Sequence, residues 1–201
     1  MITIYTPEEV EKIAAAGRLT ADTLSMLEKE VKPGISTLEL DEMAEKFIRD
    51  RGGIPSCKGY EGYPATLCTS VNDTVVHGIP SARKILKKGD IISLDLVVEL
   101  NGYMGDSCIT VPVGHTNKKN LQLIKATEGA LFAGIKQAVI GNTVGDIGWK
   151  AMSSHTDTAS CVNTWATASA SACMKTRKYR TTAPRDTDRV SKKVCVSVSS
   201  L

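Results

Sequence analysis

Asp90–Val111, DIISLDLVVELNGYMGDSCITV, decides how this chain folds. Asn101-Gly102 lies midway between two β-rich runs and is the dipeptide that most readily supplies the two positive φ angles of a type I′ turn. The segment therefore predicts a β-hairpin. With Leu100 facing Tyr103 across the turn, Asp95 falls opposite Cys108 and Asp106 opposite Val97. Alternation then puts Ser93, Asp95, Val97, Asp106, Cys108 and Thr110 on one face and Ile92, Leu94, Leu96, Val98, Ile109 and Val111 on the other. Asp95 and Asp106 become diagonal cross-strand neighbours, about 7 Å apart at the backbone, so their side chains can converge. Two like charges on a half-buried sheet are costly unless a proton or a cation sits between them, and a hard divalent metal is the usual solution. On spacing alone, a solvated edge hairpin whose acids face water is the competing reading.

Around this hairpin the chain has 201 residues, 42% of them apolar, enough for a real core in one or two domains. The N-terminus MITIYTPEEVEKI lacks the basic and apolar regions of a signal peptide, and no window reaches the ~18 apolar residues of a membrane span. Six cysteines without CxxC or finger spacing predict reduced cytosolic thiols and no structural zinc. The net charge of +3 hides a split: residues 1–148 carry 16 Lys+Arg against 19 Asp+Glu, whereas 149–201 carry nine against three.

Thr6-Pro7-Glu8-Glu9 predicts a capped helix running to about Val31, where Pro33-Gly34 stops it. A second helix is expected from Ser36 or Thr37 to Gly52-Gly53. Ala65–Val71 reads as a strand, Asn72-Asp73 as a turn, and Thr74–His77 as another strand ended by Gly78 and Pro80. His77, at that strand end, can face a shared cleft, although a lone histidine is more often structural. Lys84–Lys88 reads as a solvated basic connection. Residues 117–139 predict a helix that covers the apolar side of the hairpin sheet.

Tyr60-Glu61-Gly62-Tyr63-Pro64, Cys68-Thr69-Ser70-Val71-Asn72-Asp73, His77-Gly78-Ile79-Pro80, and Asp95 followed after ten residues by Asp106 together resemble the type I methionine aminopeptidases. The resemblance covers residues 1–148. It implies an α/β (α+β) pita-bread fold, here its N-terminal half only, and cytoplasmic removal of the initiator methionine from nascent chains. Two divalent ions, Co, Mn, Fe, Zn or Ni, would serve as cofactors, with Asp95 chelating one and Asp106 bridging both. His77 would be catalytic and hydrogen-bond the peptide, while Cys57, Tyr60, Tyr63 and Cys68 would surround the methionine side chain, ordinary core packing being the alternative for each. The implied partners are N-terminal methionyl peptides, with the ribosome a further candidate; a monomer is expected, with neither membrane nor specific nucleic-acid binding.

The family takes a histidine and two glutamates from its second half to complete the metal set, and another histidine near the substrate. After Gly148 this chain has only His155 and no glutamate. Residues 149–201 read as an aberrant basic Ser/Thr/Ala-rich tail, expected to be disordered. A one-base shift of the reading frame from about Asp157 onward permits GHGIG and MHE motifs in family order, so a frameshift near codons 148 to 150 is the expected origin. The chain itself is then expected to be inactive. A non-catalytic peptide-binding module of the same fold is the alternative, and a proline-specific peptidase is disfavoured by the CTSVNDTVVHGIP text.

Overall fold

A computed structural model describes residues 5–143 and 145–148. The expectations for the tail, His155 included, lie outside the described residues. The chain divides into two compact units, one made of residues 11–121 and the other of the residues before Glu11 and after Leu121.

Local chemistry sets the helices. Helix α1, Pro7–Glu30, opens with a reciprocal cap: the Glu9 N–H donates to Thr6 Oγ1 at 3.2 Å and the Thr6 N–H to Glu9 Oε2 at 2.7 Å. Helix α2, Thr37–Arg49, repeats the device with Ser36 and Glu39 and ends at Asp50, shorter than the expected stop at Gly52-Gly53. Glu39 in the first turn and Lys46 and Arg49 in the last complement the α2 dipole.

The sheet is antiparallel. Its central strand β3, Ile91–Leu100, pairs along its whole length with β4, Tyr103–Pro112, from Leu100↔Tyr103 to Ile91↔Pro112. The opposite edge of β3 is shared by β1, Ile54–Pro55, near its end, and β2, Cys68–Val71, near its start. Asn101 and Gly102 carry φ of 53° and 81°, as a type I′ turn requires, and the register Asp95↔Cys108 and Val97↔Asp106 is the one that turn predicts.

The alternation sorts solvent as expected. Ile92, Leu94, Leu96 and Val98 are fully buried and Val111 nearly so. They join Leu19, Leu24 and Leu27 of α1, and Leu40, Ala44 and Ile48 of α2, in one core. It is α1 and α2 that supply this cover, a role expected of residues 117–139; the helix there, α3, spans Lys118–Ile135. At the α1–β4 crossing Gly105 is obligatory, because a Cβ would lie 2.6 Å from Thr20 Oγ1 and 2.7 Å from the Ala16 carbonyl. The Thr20 hydroxyl bonds across this crossing to the Gly105 carbonyl at 3.1 Å.

Three sequence expectations are corrected. The strand expected over Ala65–Val71 begins only at Cys68, since the Thr66 and Leu67 N–H groups are taken by Asp41. Thr74–His77 forms no strand: its β-branched residues find no partner ladder, and Val75 and Val76 are 65% and 45% exposed. The Lys84–Lys88 loop is more than a solvated connection, because Leu86 is buried in the core and exchanges backbone hydrogen bonds with the 34–35 segment.

Candidate functional site

The two longer pairings of the sheet define the site row by row. Cys68, Asp95 and Cys108 lie directly opposite one another across β2, β3 and β4, and Ser70, Ser93 and Thr110 form the next row on the same face. Ser93 and Thr110 share a hydroxyl–hydroxyl bond of 2.9 Å that ties β3 to β4 beside the acids. Asp106, opposite Val97, is the diagonal neighbour of Asp95.

The electrostatics register this proximity. Burial, and secondarily the Asp106 charge, push the Asp95 carboxyl up to about 6, with His77 pulling the other way. Asp106 keeps a solvent-exposed edge, yet the protein packed around it also raises its pKa by desolvation. Burial lifts the Cys57 thiol to about 11 and those of Cys68 and Cys108 above their usual range, and the two carboxylates add to each rise. Cys57, Cys68, Cys108 and His77 therefore gather within electrostatic reach of one acid pair, a greasy-walled recess with a negative floor.

The walls are held by backbone bonds. The Tyr63 hydroxyl donates to the Leu67 and Gly78 carbonyls at 3.1 and 3.2 Å, and burial raises its pKa strongly. Gly78 lies against β2, its N–H donating to Ser70 Oγ at 3.2 Å and its carbonyl accepting the Thr69 N–H at 2.7 Å. A Cβ there would stand 2.2 Å from the Thr69 carbonyl oxygen, so no other residue fits. This docking holds the preceding His77 at φ 56°, a left-handed conformation that costs a non-glycine residue about 1 kcal/mol.

Asp41 is a residue that the sequence reading misses. From the inner face of α2 its carboxylate accepts the Thr66 and Leu67 N–H groups at 2.9 and 2.7 Å and so fixes the entry to β2. Burial raises its pKa more than these bonds lower it. Its signal is present in the chain: an acid beside Leu40 and Ala44, on a stripe that has to be buried, needs donors. Tyr60 is different, for it stands 69% exposed in the short 3-10 turn Tyr60–Gly62.

Hard carboxylate oxygens suit a divalent ion, but no group of three or more His, Cys, Asp or Glu side chains placed to hold one occurs among the described residues. The recess thus presents part of a metal donor set.

The comparisons agree with this geometry. The sequence profile of metallopeptidase family M24 matches residues 11–167. The chain is 48% identical over 147 residues both to the methionine aminopeptidase of Clostridium acetobutylicum and to methionine aminopeptidase 1 of Bacillus subtilis. In each case 73% of this chain aligns with 59% of the relative, so it spans about three fifths of their length. Its structure is similar to that of the methionine aminopeptidase from Rickettsia prowazekii, with a TM-score of 0.74 and 39% identity over 77% of this chain and 62% of that one. The prolidase from Pyrococcus furiosus, at 21% identity and a TM-score of 0.66, shares the fold.

Proposed function

Because this chain belongs to metallopeptidase family M24 and has its pita-bread fold, we propose that its recess is the N-terminal half of a methionine aminopeptidase site. The observation that carries this reading is the diagonal placement of Asp95 and Asp106 on one face of β3 and β4, with His77 in electrostatic reach. Asp95 and Asp106 would hold divalent metal, which supplies Lewis acidity toward a peptide carbonyl. His77 would orient the peptide, and Cys57, Tyr63 and Cys68, with Tyr60 from the adjoining turn, would receive the methionine side chain. Substrates are N-terminal methionyl peptides, met in the cytoplasm on nascent chains at the ribosome, by a monomer.

The chain as it stands is inactive in this reading. Two carboxylates hold a hard ion weakly, and the second half of the donor set is missing from the sequence after Gly148. Residues 1–148 form the N-terminal half and 149–201 an aberrant tail, although the family match continues to residue 167. Incubating the purified full chain with a Met-Ala-Ser peptide and added cobalt or manganese is expected to release no methionine; robust turnover would refute the ligand argument. The incomplete donor set also favours a second reading, a peptide-binding module that dispenses with metal. Calorimetry with the same peptide in chelator separates the two, since only the binding module retains the peptide.

A further inference from the structure

Residues 1–148 are acidic as a whole, yet their cations are not evenly spread. Residues 81–90 and 112–121 together hold Arg83, Lys84, Lys87, Lys88, Lys118 and Lys119 against Asp90 alone. All six cations are exposed, and none of the ion pairs found among the described residues involves them.

The two segments form one surface. Lys88 Cγ lies beside Gly114, and the Thr116 hydroxyl, two residues before α3, donates to the Gly89 carbonyl at 2.7 Å. The 83–88 loop is stiff: Leu86 anchors it in the core, its N–H donates to the Ile35 carbonyl at 2.8 Å, and the Thr37 N–H donates to the Lys84 carbonyl at 3.0 Å. Arg83, Lys84 and Lys87 line an open cleft of about 390 Å³ with Asn72, Ile85 and Asp90. The Asp90 carboxylate does not neutralise them by direct pairing, since it accepts Asn72 Nδ2 and the Lys87 N–H, both at 2.9 Å. Lys118 and Lys119 stand in the first turn of α3, where the helix dipole disfavours cations. A sequence that accepts this local cost is compensated when an anion binds there.

From this arrangement we infer that the ridge made by the 83–88 loop and the start of α3 binds the phosphate backbone of double-stranded RNA. Spaced, exposed cations on a rigid frame match repeating phosphates better than one small anion, which needs donors converging on a point. The two segments contain no Phe, Tyr or Trp on which unpaired bases could stack, and they offer no helix flank or ribbon to enter a DNA major groove. Exposed Ile85 is the single large apolar residue on the ridge's 83–88 loop, too little to insert into a lipid surface. A-form RNA, recognised by shape and backbone, is the fitting partner. Taken alone, Lys84–Lys88 reads as a solvated run with no aromatic partner and no expected nucleic-acid binding; the added cations of α3 and the fixed loop are what change that view.

The test is fluorescence anisotropy of the full chain with a labelled RNA duplex of about 16 base pairs across a salt series. Binding of the wild type should weaken linearly in log salt, and the Arg83→Gln/Lys84→Gln/Lys87→Gln/Lys88→Gln variant should flatten that slope by about 3 to 4, at roughly 0.9 for each phosphate no longer neutralised. Lys12→Gln/Lys46→Gln, removing exposed cations elsewhere, should leave it unchanged. If the quadruple variant fails to fold by circular dichroism, the Arg83→Gln/Lys84→Gln and Lys87→Gln/Lys88→Gln pairs should each flatten it by about 2. Wild-type affinity and slope retained in the variants would place binding on other cations, including those of 149–201, and overturn the inference. Tighter binding to anionic-lipid vesicles than to RNA at equal salt would overturn it too.

Discussion

Asp95→Asn should stabilise the metal-free chain at neutral pH, even though it removes a residue from the heart of the candidate site. Burial and the Asp106 charge raise the Asp95 carboxyl from its ordinary 3.8 to about 6. Between those values the native state holds a proton that the unfolded chain has released, so stability falls as pH rises through this window and stays low above it. At about 1.4 kcal/mol per unit the loss approaches 3 kcal/mol, an upper figure because Asp95 keeps partial contact with solvent. Asparagine has no charge to desolvate. The two proteins should be equally stable below about pH 4, and the variant more stable by about 2 to 3 kcal/mol above about pH 6.5. Urea unfolding followed by circular dichroism in excess chelator, across that range, measures the difference. Adding manganese should then favour the wild type, because a ligand bound only by the native state stabilises it by mass action. A variant less stable than the wild type in chelator at neutral pH, or a difference indifferent to pH, would show that the pair is not electrostatically strained.

Gly105→Ala should cost about 2 to 4 kcal/mol by urea titration, from overpacking against Ala16 and loss of the Thr20 bond; Gly102→Ala, in open space at φ 81°, should cost only about 1. Asp41→Ala leaves the Thr66 and Leu67 N–H groups without their acceptor and should cost about 2 to 5 kcal/mol, whereas Asp41→Asn keeps an oxygen and should recover most of it. Cys57, with its thiol at about 11, should alkylate with iodoacetamide at least about 100-fold more slowly than a free thiol near pH 8, read by peptide mass mapping, and should regain normal reactivity in urea.

The hairpin is legible in the sequence because its information is local. Asn101-Gly102 fixes the turn, the turn fixes the register, and the register fixes which side chains share a face. The two helix starts are legible for the same reason, since Thr6 with Glu9 and Ser36 with Glu39 each satisfy their own ends. What escapes is set by distant partners. Val75 and Val76 have strand-forming side chains, but the Gly78 contact with Thr69 and Ser70 turns the following backbone onto β2 and leaves them without a ladder. Cys68 faces Asp95 only because β1 and β2 divide one edge of β3 between them, an order no short stretch encodes. Leu86 shows the converse, an apolar anchor hidden inside a run of lysines.

The unbroken ladder from Ile91↔Pro112 to Leu100↔Tyr103 also limits how this region can change over evolutionary time. Removing one residue between Asp95 and Leu100, or between Tyr103 and Asp106, would rotate one acid through the sheet into the oily layer beneath α1, whereas extra residues at Asn101-Gly102 would only lengthen a loop. Natural variants should therefore differ in length at the hairpin tip and nowhere else in that interval, while side-chain identities along both arms drift freely around two fixed aspartates.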